Sequence, residues 1–188
     1  GGTLVEKCCH FFDLMRLIAQ SEPLKVYASG NQDVNHLNEK YDGMVPDILD
    51  NAFVIVDFEN GVRAFLDLCM FAENSEFQEE LCAVGTLGKV ETEVPSNKSG
   101  IASSDIRIGL REITPALKET IAVDPKILEA GNHHGSTYYE HQSFISAIRN
   151  NTKPEVSLND GLIAVAIGEA AEISIKEGRV VQMSEFNL

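Results

Sequence analysis

Hydrophobic side chains recur at helical spacing in three stretches of the chain, and this pattern predicts three helices. The predicted helices cover about residues 3–20, 137–150 and 159–177. The first helix is expected to end before Pro23, because proline cannot continue a helix, and the last helix is expected to end at Gly178. Each helix therefore has one apolar face available to cover a sheet.

Alternating or β-rich runs between these helices predict strands. They cover residues 24–29, 51–58, 62–71, 79–84, 89–94, 106–110 and 180–183. Asn60-Gly61 joins the second run to the third, and Asn-Gly between two β-rich runs is the strongest short hairpin signal. Residues 30–47 are polar and predict a loop, in which His36 is interpreted as solvated. The segment 114–130 fits neither pattern.

Strands flanked by helices without regular βαβ alternation predict an α+β domain with a mostly antiparallel open sheet. The helices are expected to pack on one face of this sheet. In the strand over residues 62–71, Val62, Ala64 and Leu66 alternate with side chains that include Phe65 and Cys69, so both faces are partly apolar. The other face is therefore expected to pack against a second subunit or another domain.

Composition and charge narrow the possible partners. The chain is 44% hydrophobic with a formal net charge of −14, and it has no apolar run long enough to span a bilayer. An acidic surface argues against nucleic acid and anionic membranes as partners. The four cysteines have neither zinc-ribbon spacing nor a disulfide pattern, which predicts reduced thiols in a cytoplasmic protein.

The first thirteen residues, GGTLVEKCCHFFD, combine a double glycine with three polar groups. On an α-helix Glu6, His10 and Asp13 would lie on one face, with Glu6 close enough to hydrogen-bond the His10 ring. Such a pair can act as an acid or base, and it can equally be a solvated helix face. Asp13 is interpreted as more structural than catalytic.

A second glycine-rich approach to a helix covers residues 131–136, where His133, His134, Tyr138 and His141 cluster. Thr137 and Glu140 have capping-box spacing for this helix. The histidines and Tyr138 could form a hydrogen-bonding wall for a polyhydroxylated substrate, because they supply both donors and acceptors to hydroxyls. A metal cluster and a solvated helix start are the alternatives, but no metal-binding spacing is present.

No Gly-x-Gly-x-x-Gly motif and no P-loop occur in the sequence. We therefore expect no cofactor-binding residues within this chain. Because metal-binding spacing is also missing, we expect no metal ligands.

Written as Gly-Gly-x-Leu-x-(Asp/Glu)-x-x-x-His-x-x-Asp, residues 1–13 resemble the signature that follows the nucleotide-binding domain in one enzyme family. This is the glucose-fructose oxidoreductase, inositol dehydrogenase and rhizopine catabolism (Gfo/Idh/MocA) family. His-Gly-Ser at 134–136, Asn-Asp-Gly at 159–161 and Glu-Gly-Arg-Val-Val at 177–181 resemble the C-terminal end of the same family. Between these ends the chain is similar to the family only in its strand pattern.

The resemblance implies the same α+β architecture and an NAD(P)-dependent dehydrogenase that moves hydride between nicotinamide and a hydroxyl of a sugar, cyclitol or related polyol. It implies His10 as general base or proton relay and Glu6 at the family's aspartate position. Asp13, His133, His134 and Tyr138 are the expected substrate-binding residues. The family's catalytic lysine, and most of the contacts to NAD or NADP, would come from the nucleotide-binding domain.

We expect residues 1–188 to be a single substrate-binding and oligomerisation domain, a fragment of a longer protein whose N-terminal Rossmann domain lies outside it. The fragment alone is then expected to be inactive, and the sheet face to form a homodimer or homotetramer. Two other classes stay open. One is a non-catalytic sensor or assembly paralogue, and the other is a metal-dependent hydrolase that uses His10 with His133 or His134 and a carboxylate.

Overall fold

The computed structural model describes residues 2–96, 99–130 and 133–188. For Ala130 it describes the backbone but not the side chain. Gly1, Gly131 and Asn132, which belong to the two predicted glycine-rich segments, lie outside the described residues. The chain divides into two compact units. Unit 1 comprises Gly1–Glu73 and Val156–Leu188, and unit 2 comprises Asn74–Glu155.

The elements of both units follow in chain order. They are a π-helix (Thr3–Lys7), α1 (Cys9–Ala19), β1 (Pro23–Asn31), β2 (Asn51–Phe58), β3 (Arg63–Cys69), β4 (Phe77–Val84), β5 (Gly88–Pro95), β6 (Ser103–Leu110), β7 (Leu117–Ala122), α2 (Pro125–Ala130), a 3-10 turn (His133–Gly135), α3 (Ser136–Asn150), α4 (Leu158–Glu177), β8 (Val181–Gln182) and a 3-10 turn (Met183–Glu185).

The predicted α+β class is confirmed, and the described strands form two antiparallel sheets of four strands rather than one sheet. The sheet of unit 1 has the order β3-β2-β1-β8, and the sheet of unit 2 has the order β4-β5-β6-β7. The predicted hairpin at Asn60-Gly61 joins β2 to β3, with Gly61 at φ 86°. The unassigned segment 114–130 contains β7 and α2.

In unit 1 the helices α1 and α4 cover one face of the sheet. Val26 and Ala28 of β1 pair with Val56 and Val54 of β2, and all four side chains are buried in the core. Small residues on α4 allow its backbone to approach closely, and Ala164, Ala166, Ala170 and Ala171 are buried there. The opposite face of this sheet is exposed within unit 1. Its large apolar side chains are Tyr27, Phe53, Ile55 and Phe65.

Ser174 of α4 is buried and ties three elements together. Its hydroxyl accepts a hydrogen bond from the backbone N–H of Ala28 at 2.9 Å and donates one to the carbonyl oxygen of Arg179 at 2.6 Å. Gly178 ends α4 at φ 65°, as predicted, because this left-handed conformation suits glycine. One hydroxyl therefore fixes α4 against β1 and against the turn that leads to β8.

Two predicted helix starts are wrong. α4 begins at Leu158, one residue earlier than expected, because Ser157 is its N-cap and forms a capping box with Asp160. α3 begins at Ser136 after Gly135, which has φ 85° and no side-chain capping bond. The capping box proposed for Thr137 and Glu140 therefore does not form.

Candidate functional site

The motif over residues 1–13 begins as a π-helix instead of the predicted α-helix. The N–H of Cys8 donates to the carbonyl oxygen of Thr3 at 3.1 Å, which is the five-residue spacing of a π turn. The α-helical hydrogen bonds resume when Phe12 donates to Cys8 at 3.1 Å. Isolated π turns of this kind often occur at functional sites.

Helix α4 packs directly against this π turn. A Cβ atom at Gly168 would lie 2.6 Å from the carbonyl oxygen of Leu4, so only glycine allows the two backbones to come this close. Glu172 lies one turn further along α4, and its carboxylate occupies the space that a Cβ at Gly2 would need. On the other side Thr3 donates its hydroxyl to the carbonyl oxygen of Leu49 at 2.6 Å. The start of the motif is therefore held between α4 and the loop that precedes β2.

Glu6 and His10 are both exposed at this end of unit 1. Within the described residues no hydrogen bond joins the Glu6 carboxylate to the His10 ring. The π turn explains this, since its turns close over five residues and the four-residue spacing of an ideal α-helix does not apply across Glu6. Both side chains are accessible to a small molecule, and their roles stay a prediction.

Cys8, which follows the π-helix directly, is completely buried. Burial raises the pKa of its thiol to about 11, an effect that nearby Lys7 partly opposes. The thiol therefore stays protonated and packs as a small apolar group.

Asp13 lies next to an ion-pair network centred on Arg16. Arg16 Nη1 is 3.7 Å from Asp13 and 3.2 Å from Asp160, and Arg16 also pairs with Glu22 at 2.8 Å. This network links α1 to the N-terminus of α4. Its geometry agrees with a structural contribution from Asp13, and a substrate contact by Asp13 stays a prediction.

His133 and His134 are in unit 2, in the approach to α3. They have φ values of 62° and 52°, and Gly135 follows at 85°. Consecutive left-handed residues other than glycine are costly, and such strain often occurs at functional sites. The carbonyl oxygen of Ile101 lies 3.2 Å from His134 Nε2, which makes Nε2 the donor and Nδ1 the acceptor. His134 Nδ1 is buried and has no partner among the described residues.

Tyr138, one turn into α3, is exposed and reachable from solvent. Its hydroxyl accepts a hydrogen bond from Gln142 at 2.5 Å, and its ring meets the edge of Tyr139 at a centroid distance of 5.6 Å. The structure therefore groups His133, His134 and Tyr138 in unit 2, and it places Glu6, His10 and Asp13 in unit 1.

Two structural features bear on the other function classes. Among the described residues no group of three or more histidine, cysteine, aspartate or glutamate side chains is arranged to hold a metal ion. None of the helices in the described ranges combines the length and apolar character needed to cross a membrane.

Comparison with known proteins agrees with this fold and motif. Residues 1–183 match the model of the oxidoreductase family, C-terminal alpha/beta domain. Myo-inositol 2-dehydrogenase of Thermotoga maritima is 25% identical over 98% of this chain and 50% of its own length. The uncharacterized oxidoreductase YrbE of Bacillus subtilis is 28% identical over 97% of this chain and 48% of its own length.

A solved structure has the same fold. An oxidoreductase from Agrobacterium radiobacter, crystallised with NAD+, L-tartaric acid and magnesium, superposes with a TM-score of 0.67 at 19% identity over 94% of this chain and 48% of that one. The protein class is thus that of an oxidoreductase C-terminal α/β domain. The chain belongs to the Gfo/Idh/MocA oxidoreductase family, and it spans about half the length of the curated relatives it matches.

Proposed function

We propose that this chain is the C-terminal, substrate-binding part of an NAD(P)-dependent dehydrogenase that acts on a hydroxyl of a sugar, cyclitol or related polyol. The observation that carries the proposal is the exposed His10 in the first turn of α1, directly after a π turn that packs on Gly168 and is hydrogen-bonded through Thr3. The relatives named as myo-inositol 2-dehydrogenase and as an NAD+ complex support the choice of reaction.

The residues of this chain fit one half of such a reaction. The sequence has no glycine-rich phosphate loop, so NAD or NADP would be held mainly by an N-terminal Rossmann domain outside this chain. When bound, the cofactor supplies the acceptor for hydride. What remains for this chain is to bind the polyol, to orient the reacting hydroxyl and to take its proton.

His10 is the proposed base for that proton. Its ring is exposed and makes no hydrogen bond within the described residues, so a ring nitrogen is available to the hydroxyl of a substrate. Glu6 would occupy the position of the family aspartate. It would orient the substrate or the His10 ring once the substrate is bound. Apo geometry of this kind often tightens only when the substrate binds.

Asp13 of unit 1, and His133, His134 and Tyr138 of unit 2, are proposed as substrate-binding residues. The buried, unpartnered Nδ1 of His134 supports this assignment, because a buried acceptor without a partner is costly and a ligand donor would relieve that cost.

We further propose that the exposed sheet face of unit 1 forms a homodimer or homotetramer. Phe53 and Phe65 stack there at 5.8 Å between ring centroids. We also propose a cytoplasmic location for the protein, because the cysteines of this chain are free thiols.

The test is NAD(P)-linked turnover by the full-length protein against cyclitols, aldoses and sugar derivatives. His10→Ala should lower kcat by about 10²–10⁴ with nucleotide binding intact, which is the range for loss of a general base. Lys7→Ala, an exposed change on the preceding turn, is the matched control and should keep wild-type rates. This chain alone should be inactive. A full-length protein that binds no nucleotide and turns over no polyol would instead favour a sensor or assembly role.

A further inference from the structure

The loop over residues 32–50 leaves the sheet at the same end of unit 1 as the π-helix. Helix α1 runs from the motif to the start of β1, and β1 returns in the opposite direction, so the end of β1 lies near the motif. The hydrogen bond from the Thr3 hydroxyl to the carbonyl oxygen of Leu49 demonstrates this proximity at 2.6 Å. The base of this loop therefore lies beside the start of the motif that carries Glu6 and His10.

Asp50 fixes the first part of the loop. Its side chain is buried and accepts three consecutive backbone N–H groups, from Asp33 at 3.0 Å, Val34 at 2.7 Å and Asn35 at 2.7 Å. Burial opposes ionisation, yet these three donors and the Asn51 amide hold the pKa of Asp50 well below its usual range. The backbone that leads into His36 is therefore held in place by three hydrogen bonds.

Immediately after this anchor, three polar side chains are hydrogen-bonded to one another. His36 adopts φ 62°, and its Nδ1 lies 2.9 Å from a carboxylate oxygen of Glu39. The same oxygen accepts the hydroxyl of Tyr41 at 2.8 Å. Tyr41 is held in turn by a two-residue bridge to Met44, closed by two residues with positive φ, Asp42 and Gly43. The left-handed conformation of His36 is thus set by contacts on both sides.

These contacts decide the tautomer of His36. The His36 ring and the Tyr41 hydroxyl lower the pKa of Glu39, so Glu39 is a carboxylate and can only accept hydrogen bonds. Nδ1 of neutral His36 must then carry the hydrogen, and Nε2 presents a lone pair. Nε2 makes no hydrogen bond in the part of the chain that the structure describes, and the side chain is 44% exposed.

We propose that His36 Nε2 accepts a hydrogen bond from a hydroxyl of the polyol, with Glu39 and Tyr41 as the positioning residues that orient the ring. The inference rests on the proposed function and adds a binding residue to the same site. The ring of Tyr41, which is 62% exposed, offers an apolar face to the C–H groups of such a ligand. Sequence patterning interpreted His36 as solvated, because the carboxylate that orients it is recognisable only in the folded loop.

The experiment measures steady-state kinetics of the full-length protein with its best polyol and with NAD or NADP as the varied substrates. His36→Ala should raise KM for the polyol about tenfold, the size expected for one lost hydrogen bond, while kcat and KM for the nucleotide stay within about twofold. Tyr41→Phe should raise the same KM by about threefold, because Glu39 keeps its bond to the ring but loses one partner. Asn38→Ala, a neutral change in the same loop, should match the wild type.

The outcomes separate the two proposals. An active wild type whose polyol KM is unchanged in both His36→Ala and Tyr41→Phe overturns the role of His36 and leaves the proposed function intact. A fall in kcat at constant KM also overturns the binding role. If His36→Ala fails to fold, Tyr41→Phe carries the test by the same criterion. A wild type that binds no nucleotide and oxidises no polyol overturns the proposed function and this inference with it.

Discussion

Gly168 of α4 lies directly against the backbone of Leu4, with a virtual Cβ only 2.6 Å from the Leu4 carbonyl oxygen. This contact joins α4 to the π turn that carries Glu6 and leads into the first turn of α1, where His10 lies. The carbonyl cannot move away freely, because it belongs to the start of the motif and the Leu4 side chain is completely buried.

Gly168→Ala should therefore destabilise the protein. Overpacking of a tight site costs about 1–3 kcal/mol, and the clash here is with backbone rather than with a flexible side chain. Gly161→Ala is the matched control on the same helix, because nothing lies within 4 Å of its virtual Cβ. The control should stabilise by about 0.5–1 kcal/mol, as alanine is the better helix former. Urea unfolding of the three proteins would measure both effects, and equal stability of Gly168→Ala and wild type would contradict the packing argument.

Ser174→Ala should also destabilise, for a different reason. The substitution removes the acceptor of the Ala28 N–H and the donor to the Arg179 carbonyl oxygen. A buried polar group left without a partner costs about 1–3 kcal/mol. Thermal unfolding should show the loss, and hydrogen exchange should show faster exchange at Ala28. Ser146→Ala on exposed α3 should leave both readouts unchanged, and a silent Ser174→Ala would mean that water replaces the hydroxyl.

Asp160 should make stability depend on pH in the acid range. Hydrogen bonds from the hydroxyl and backbone N–H of Ser157, followed by one from Arg16, lower the pKa of Asp160 from 3.8 to about 2. A carboxyl whose pKa is depressed on folding stabilises the protein above its unfolded pKa, and this contribution is lost as pH falls through the folded pKa.

The comparison that checks this is the Tm of wild type and Asp160→Asn across pH. The Tm difference should be full at pH 6, shrink below about pH 4 and approach zero near pH 2. A difference that is constant across this range would show that the carboxylate charge contributes nothing.

The exposed sheet face predicts the assembly state of the full-length protein. Phe65 is 58% exposed and stacks on Phe53 on this face. Phe65→Asp should reduce the mass measured by light scattering, because a charge would be buried in the interface. Leu87→Asp, at the β4–β5 turn, is the control for an exposed apolar residue elsewhere. A monomeric wild type would remove the oligomer from the proposal.

Local spacing along the chain predicted most of the elements. The helical stripe of α4, the alternation in β2 and β3 and the Asn60-Gly61 turn depend on contacts between near neighbours, and the structure confirms all of them. Two helix caps were misplaced, since Ser157 and Gly135 compete with plausible cap residues only two positions away. The candidate residues His10 and Glu6 could be found from the sequence, because their spacing matches a motif.

The sequence by itself determined the α+β class, the hairpins and the motif that carries His10. Only the tertiary structure decided the π turn at Thr3–Lys7, the division of the strands into two sheets and the orientation of His36 by Glu39. The physical reason is the range of the forces involved. Periodicity and turn propensity act over a few residues, whereas the contact of Gly168 with Leu4 and the three amides bound by Asp50 join residues that meet only after folding.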